Sequence, residues 1–387
     1  MNLSSTTNIA ISLVLFAYTL FYTPFIFEHY VPFNIRITTE LVLILTTLLL
    51  SFFYNRIQRQ VIIFMILVLA SFSIAMLSDR NNFIEHISFF NKIIILLLIA
   101  QVLINRFSLL KLFSYLWVRF VVAISVLTIF AFIGYILGFV DFSAYQFSEG
   151  RYYLNNLWLG NISPRNYIVS VPAISGYLFE PIYLGFFFGL NIVISKQLIN
   201  DSKKLSRFIV LNSVAGLLTF SVTYYLFLLF YVLRRLINDN LKFTIAMIVF
   251  MLSLLFVFFY TDMFYVTSIY ERLATIKILL DFIVNSDFRE VLLGSGVEWY
   301  KSHINIGVDS AILVMIINRG VMITIVFLAL IYTMTKHNSS LVIFILFYSL
   351  AIPFNNFSLF YIIIGLQFAL YKHRTAASNF FFYQNTV

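Results

Sequence analysis

The feature that most limits what this chain can become is a repeated apolar run of membrane length. Residues 9–27, 37–53, 61–77, 93–105, 118–140, 176–194, 243–260, 309–332, 341–353 and 357–370 are rich in Leu, Ile, Val and Phe, and none holds more than two charged residues. A helix needs about 20 mostly apolar residues to cross the hydrocarbon of a bilayer. In lipid every backbone amide and carbonyl must also be paired within the segment, which leaves helices as the form of such runs. The chain is 61% hydrophobic and 11% charged, where a soluble domain is about 45–50% apolar and about 25% charged. Its mean hydropathy is +0.96. These values describe a polytopic membrane protein.

Residues 208–236 form a longer apolar stretch with Ser213, Gly216 and Ser221 in its middle. Lys203, Lys204 and Arg207 precede it, and Arg234 and Arg235 follow it. Basic residues collect on the cytoplasmic side of a membrane, so like flanks put both ends on one side. The stretch is then two short helices with a break at membrane depth, which is tolerated where the break is packed in protein or lines a cavity. With these two, the chain is expected to be an all-α membrane protein of about twelve transmembrane helices. No repeat relates the halves, and residues 1–387 read as a single integral membrane domain. The first apolar run lacks a basic leader and a small-residue cleavage site, so it reads as a retained helix.

Charge fixes the expected orientation. With the N-terminus inside, the short inner loops carry fifteen Lys and Arg residues and the outer ones nine, although the outer set includes both long connections. Both termini are therefore expected in the cytoplasm. The net charge of +9 is explained by this bias and gives no reason to invoke nucleic acid. The chain has no cysteine, which excludes disulfides and thiolate metal sites.

Two long polar connections, 141–175 and 261–308, are expected on the outer face. Connections of this length between membrane helices usually carry function. The first holds Arg151 and Arg165 and leads into SGYLFEPIYLGFF, where Glu180 stands just inside an apolar run. An intramembrane carboxylate costs about 2.5–3.5 kcal/mol on insertion scales, which makes Glu180 a functional candidate by default. Its alternatives are an N-terminal cap or a structural partner for an Arg. The second connection has Ile269, Leu273, Ile276, Leu280 and Ile283 at helical spacing, with Arg272 on the shoulder of that face, as in a helix lying at the interface. It continues through LLGSG (residues 292–296) to Lys301 and His303, then Asp309 and Ser310.

Guanidinium groups bind phosphate through paired donors and keep their charge, so Arg151, Arg165 and Arg272 suit a diphosphate, with Lys301 as a weaker candidate. Headgroup anchoring is the plainer role for each. His303 is a candidate to move a proton or bind phosphate, and Asp309 reads as the N-cap of the following helix. Arg319, midway along its run, either pairs with a buried acid such as Glu40 or touches substrate. His29, His86, His337 and His373 read as solvated. No GxxxxGK[ST] loop, DxD pair or HExxH spacing is present, so the sequence offers no nucleotide-hydrolysing or metal-binding motif. A transfer reaction here calls for a pre-activated, lipid-carried donor and no metal or other cofactor.

Taken in order, these segments resemble the O-antigen polymerase (Wzy) family, within the wider O-antigen ligase and polymerase superfamily. The resemblance lies in the layout of spans, the two long outer loops and the broken helix pair between them. Locally it rests on SGYLFEPIYLGFF, similar to a Gly-x-x-x-Glu-Pro segment, and on ERLATIKILL, LLGSG, His303 and DSAIL…NRG in that order. Family members commonly carry an Arg just before the first of these motifs, where Pro172 to Ser175 holds none.

The resemblance implies a GT-C-like metal-independent glycosyltransferase of the bacterial inner membrane with its active face in the periplasm. It implies transfer of a glycan from undecaprenyl diphosphate onto another lipid-linked repeat unit, with Glu180 and His303 catalytic and Arg151, Arg165, Arg272 and Lys301 on the diphosphates. Tyr152, Tyr153, Trp158, Trp299 and Tyr300 would suit sugar rings. Its partners would be the lipid-linked oligosaccharide, inner-membrane lipids and a chain-length regulator. An O-antigen ligase is the nearest alternative. A lipid-linked oligosaccharide flippase is a further one, although its charges should lie at the midplane rather than the outer face.

Overall fold

The computed structural model describes residues 38, 41–42, 44–45, 59–78, 83–138, 143–147, 151–156, 160–166, 170–176, 178, 180–237, 277–296, 310–349, 352 and 358–384. The expected spans 9–27 and 243–260, and most of 37–53, lie outside these residues, as do Glu40, Arg272, Lys301, His303 and Asp309.

Among the described residues from Arg59 onward, three helices come first: α1 (Arg59–Ser78), α2 (Phe83–Asn105) and α3 (Phe107–Ile136). They are followed by α4 (Pro181–Leu198), α5 (Ser202–Leu217) and α6 (Val222–Leu236). Then come a short α7 (Phe288–Leu293), α8 (Ala311–Thr335), α9 (Ser339–Ser349) and α10 (Ser358–Gln384). Residues 277–285 are also helical. Four of these helices are long and apolar enough to cross a membrane, within α2, α3, α4 and α8.

Hydroxyls survive in the apolar helices by bonding backwards along them. In α3, Ser114, Ser125 and Thr128 donate to the carbonyls of Leu110, Val121 and Ile124 at 2.7, 2.8 and 2.8 Å, which satisfies them without a partner helix. Between helices, the Trp117 indole donates to Asn191 Oδ1 at 2.8 Å, and the Asn191 amide donates to the Phe187 carbonyl at 2.8 Å. That chain of bonds ties α3 to α4 through groups that would be costly to bury alone. The main core runs through α2, α4 and α10. Gly365 lets α10 approach α2 until a Cβ there would stand 3.3 Å from the Leu96 carbonyl oxygen, the close packing that small residues allow in membranes.

The expected break in residues 208–236 is present at 218–221. Asp201 caps α5 by accepting from the amides of Lys203 and Lys204 at 2.8 and 3.1 Å, and Ser221 caps α6 by accepting from Tyr224 N–H at 3.4 Å. Only a glycine fits at 216, because a Cβ there would lie 2.1 Å from Tyr224 Cζ. The Tyr224 hydroxyl donates to the Asn212 carbonyl at 3.1 Å. Phe220, in the turn, holds a positive φ of 48°, which costs an L-residue about 1–2 kcal/mol. Its ring is held against Phe132 and Tyr225.

Most of the described residues are helical, as expected of an all-α membrane protein, but those within 141–175 are not an irregular loop. They form a four-stranded antiparallel meander of β1 (Ser143–Phe147), β2 (Arg151–Asn156), β3 (Gly160–Asn166) and β4 (Ser170–Gly176), in that spatial order. Pairing the backbone in strands satisfies amides and carbonyls that a buried loop would leave orphaned. Ile162, Ala173 and Ile174 are fully buried, and Ile174 N–H donates to the Leu218 carbonyl at 3.2 Å. The sheet therefore seats on the turn between α5 and α6.

Candidate functional site

Glu180 stands where the sheet hands over to α4. It is the residue before the first helical turn, with φ −134° and ψ 156°, and Pro181 follows it. Proline fits there because a first-turn amide has no helical acceptor. The Glu180 carbonyl accepts from Tyr183 and Leu184 amides at 3.1 and 3.4 Å. Its side chain makes no capping hydrogen bond and is half-buried. Of the alternatives for this carboxylate, capping α4 is thus removed.

The surroundings of Glu180 are built by close backbone approach. Gly160 and Gly176, at the facing ends of β3 and β4, have φ of 85° and 57°. A Cβ on Gly160 would stand 2.3 Å from the Gly176 carbonyl carbon. Asn161 and Ser175 are fully buried beside them, and the Ser175 hydroxyl donates to the Asn161 carbonyl at 3.1 Å. On the helix side, a Cβ at Gly185 would meet Tyr224 Cβ at 3.0 Å and Thr219 Oγ1 at 3.3 Å. The start of α4, the end of β4 and the α5–α6 turn thus meet at one end of the bundle.

Arg151 and Arg165 lie on β2 and β3. The pairs Leu154↔Ile162, Asn155↔Asn161 and Asn156↔Gly160 set the register of β2 on β3. Arg151 and Arg165 stand beyond that paired stretch, Arg151 opposite Phe147 of β1 and Arg165 opposite Val171 of β4. Tyr152 and Tyr153 follow Arg151 on β2.

The second long connection is helical over 277–285, overlapping the interfacial helix expected over 269–283, whose part before 277 lies outside the described residues. The apolar face expected at the interface, which carries Leu280 and Ile283, stays open, and another side of the helix meets protein. Phe282 is buried against Leu313, Val314 and Ile317 of α8, with Ile278 and Leu279 beside it. Leu280, Ile283, Val284 and Phe288 point away, with Phe288 81% exposed. An apolar face left open on an interfacial helix is the face that lipid covers.

LLGSG and NRG, read from the sequence as separate motifs, form one structure. Gly320 breaks α8 with φ 78° and ψ 166°. Leu292 and Leu293 press into that break, where a Cβ on Gly320 would lie 2.2 Å from the Leu292 oxygen. Gly294, φ 90°, lies so close to the Arg319 backbone that a Cβ would be 2.6 Å from its nitrogen. Ser295 N–H donates to the Ile317 carbonyl at 2.9 Å, taking up an acceptor that the break exposes. Arg319 is buried with its guanidinium 4.2 Å from the Phe89 ring centre, a cation–π arrangement. The glycine pairs were the available signal, but nothing in the spacing said that they meet.

Three readings of single residues are corrected. Ser310, rather than Asp309, caps α8: its hydroxyl accepts from Leu313 N–H at 3.4 Å and donates to the Ser349 carbonyl at 3.0 Å. His86 is 1% exposed rather than solvated, because it falls on the inward face of α2. His337 stacks on Tyr371 with ring centres 3.7 Å apart and takes a hydrogen bond from the Gln367 amide at 2.6 Å. Burial first, with Lys372 and Lys336 adding to it, lowers the His337 pKa to about 4.

No family model, curated protein or solved structure matches this chain.

Proposed function

We propose that this chain is a surface-polysaccharide polymerase that joins lipid-linked repeat units at the outer face of the bacterial inner membrane. In this reading it has about twelve transmembrane helices, a GT-C-like arrangement and both termini in the cytoplasm. Its substrates are glycans on undecaprenyl diphosphate. The observation that carries the reading is Glu180, a half-buried carboxylate at the membrane entry of α4 that does not cap its helix and directly follows a sheet holding Arg151 and Arg165 on neighbouring strands.

The chemistry needs little else. The acceptor sugar hydroxyl attacks the anomeric carbon of the donor glycan. A new C–O bond forms, the bond from that carbon to the diphosphate oxygen breaks, and undecaprenyl diphosphate leaves with the electron pair. Glu180 takes the hydroxyl proton as general base, assisted by His303. Arg151, Arg165, Arg272 and Lys301 hold the diphosphates, and arginine stabilises the charge that develops on the leaving group. A chain-length regulator is the proposed protein partner.

The test is the purified chain in lipid, supplied with synthetic lipid-linked repeat units in the presence of a chelator. Products lengthened by whole repeats, with one undecaprenyl diphosphate released per bond formed, support the proposal. Units that only change leaflet would make the protein a flippase. Transfer that requires lipid A core as acceptor would make it a ligase.

A further inference from the structure

At the opposite end of the bundle from Glu180, α3 and α5 enclose a groove of about 970 Å³ floored by the α4–α5 connection and α10. Lys111 and Arg119 line it from α3, and Lys204 and Arg207 from α5. Lys111, Tyr115 and Arg119 follow each other at four-residue spacing on the exposed stripe of α3. The Arg119 guanidinium lies 5.3 Å from the Tyr115 ring centre, so it leans towards the start of α3 and towards Lys111, the direction side chains take on a helix.

Among the described residues the only acid lining the groove is Asp201, and it is engaged in capping α5. The Lys204 amide, then the Lys203 amide and the Lys204 and Arg207 charges, outweigh desolvation and hold the Asp201 pKa below the usual carboxylate range. Arg374 fixes the floor, its Nη2 donating to the carbonyls of Lys196 and Gln197 at 3.2 and 3.1 Å and to Asn200 Oδ1 at 3.1 Å. Beyond the cations the walls are apolar, formed by Val118, Val122 and Leu211. The neighbouring surface exposes Tyr115 and Val210, at 56% and 59%. A cationic mouth opening onto an apolar wall between membrane helices fits an amphiphile with an anionic head, whereas a soluble anion would leave the wall unused.

We propose that this groove binds an anionic glycerophospholipid, with its phosphate between the α3 and α5 cations and an acyl chain along the apolar wall. This does not depend on the polymerase reading. The four cations are exposed, so their removal leaves the fold intact.

The experiment is native mass spectrometry of the full-length chain in detergent, titrated with dioleoyl phosphatidylglycerol against dioleoyl phosphatidylcholine. Phosphatidylglycerol adducts should dominate. The pairs Lys111→Gln with Arg119→Gln, and Lys204→Gln with Arg207→Gln, should each weaken them by about 25-fold, about fivefold per cation. Lys336→Gln with Lys372→Gln, outside the groove, should leave them unchanged. Equal loss in that control would mean bulk charge alone and would overturn the site, as would retention in both groove pairs. Displacement of the lipid by excess inorganic phosphate would show that the groove takes phosphate without a chain. Preference for a polyprenyl phosphate over phosphatidylglycerol would likewise overturn the glycerophospholipid assignment.

Discussion

Glu180 can be tested without altering its shape. Glu180→Gln keeps the shape of the side chain, exchanges one acceptor oxygen for an NH2 donor and cannot accept a proton, so polymer formation should fall by about 10²–10⁴-fold, the usual worth of a general base. The check is polymer formed per unit of inserted protein, and full activity in the variant would reduce Glu180 to a structural acid. His337 gives a prediction of different kind. Its pKa falls from the usual 6.5 to about 4 on folding, so between those values the unfolded chain binds more protons than the folded one. Stability from this group is therefore fully present above about pH 6.5 and is lost as pH falls towards about 4. The melting temperature in detergent should drop between about pH 7 and about pH 5, and His337→Gln should flatten that drop. An unchanged slope would mean that the ring is open to water.

Among the elements, the joint between residues 292–296 and α8 is the most exacting. Gly320→Ala combines a left-handed φ of 78° with a Cβ 2.2 Å from the Leu292 oxygen. Gly138→Ala would also meet a positive-φ penalty, at 65°, but nothing within 4 Å. The φ penalty alone is about 1–2 kcal/mol, so Gly138→Ala should cost that much and Gly320→Ala clearly more in thermal unfolding of the purified chain. Equal costs would mean that the two segments do not touch. This joint also marks where sequence reasoning stops. Hydropathy found the long helices because each must pair its backbone within lipid, and like-charged flanks found the break at 218–221. Neither signal speaks to segments 143–176, where the strands carry Asn, Ser, Arg and two prolines rather than alternating apolar residues. Their burial is supplied by the α5–α6 turn and α4, which are distant in sequence. For the same reason the apolar residues of 277–285 gave the helix but not its protein-facing side. Phe282 was chosen by α8, and Leu280 and Ile283 were left outward.

For the whole molecule, the sheet and the start of α5 should lie on opposite sides of the membrane. The absence of cysteine makes this direct to measure, because any introduced thiol is the only one. In whole cells with a permeable outer membrane, a membrane-impermeant maleimide should label Leu137→Cys, exposed at the end of α3 that leads into the sheet, and spare Ser202→Cys at the start of α5 until the cells are lysed. The reverse pattern would invert the orientation and move Glu180 to the cytoplasmic face. The measurement that reaches furthest is the gel ladder of surface polysaccharide from cells lacking this gene, with and without the gene restored. The account predicts lipid A core bearing a single repeat unit in its absence, with the full ladder returning on restoration. Repeat units trapped on the cytoplasmic side, or long polymer held on undecaprenyl diphosphate outside, would contradict it.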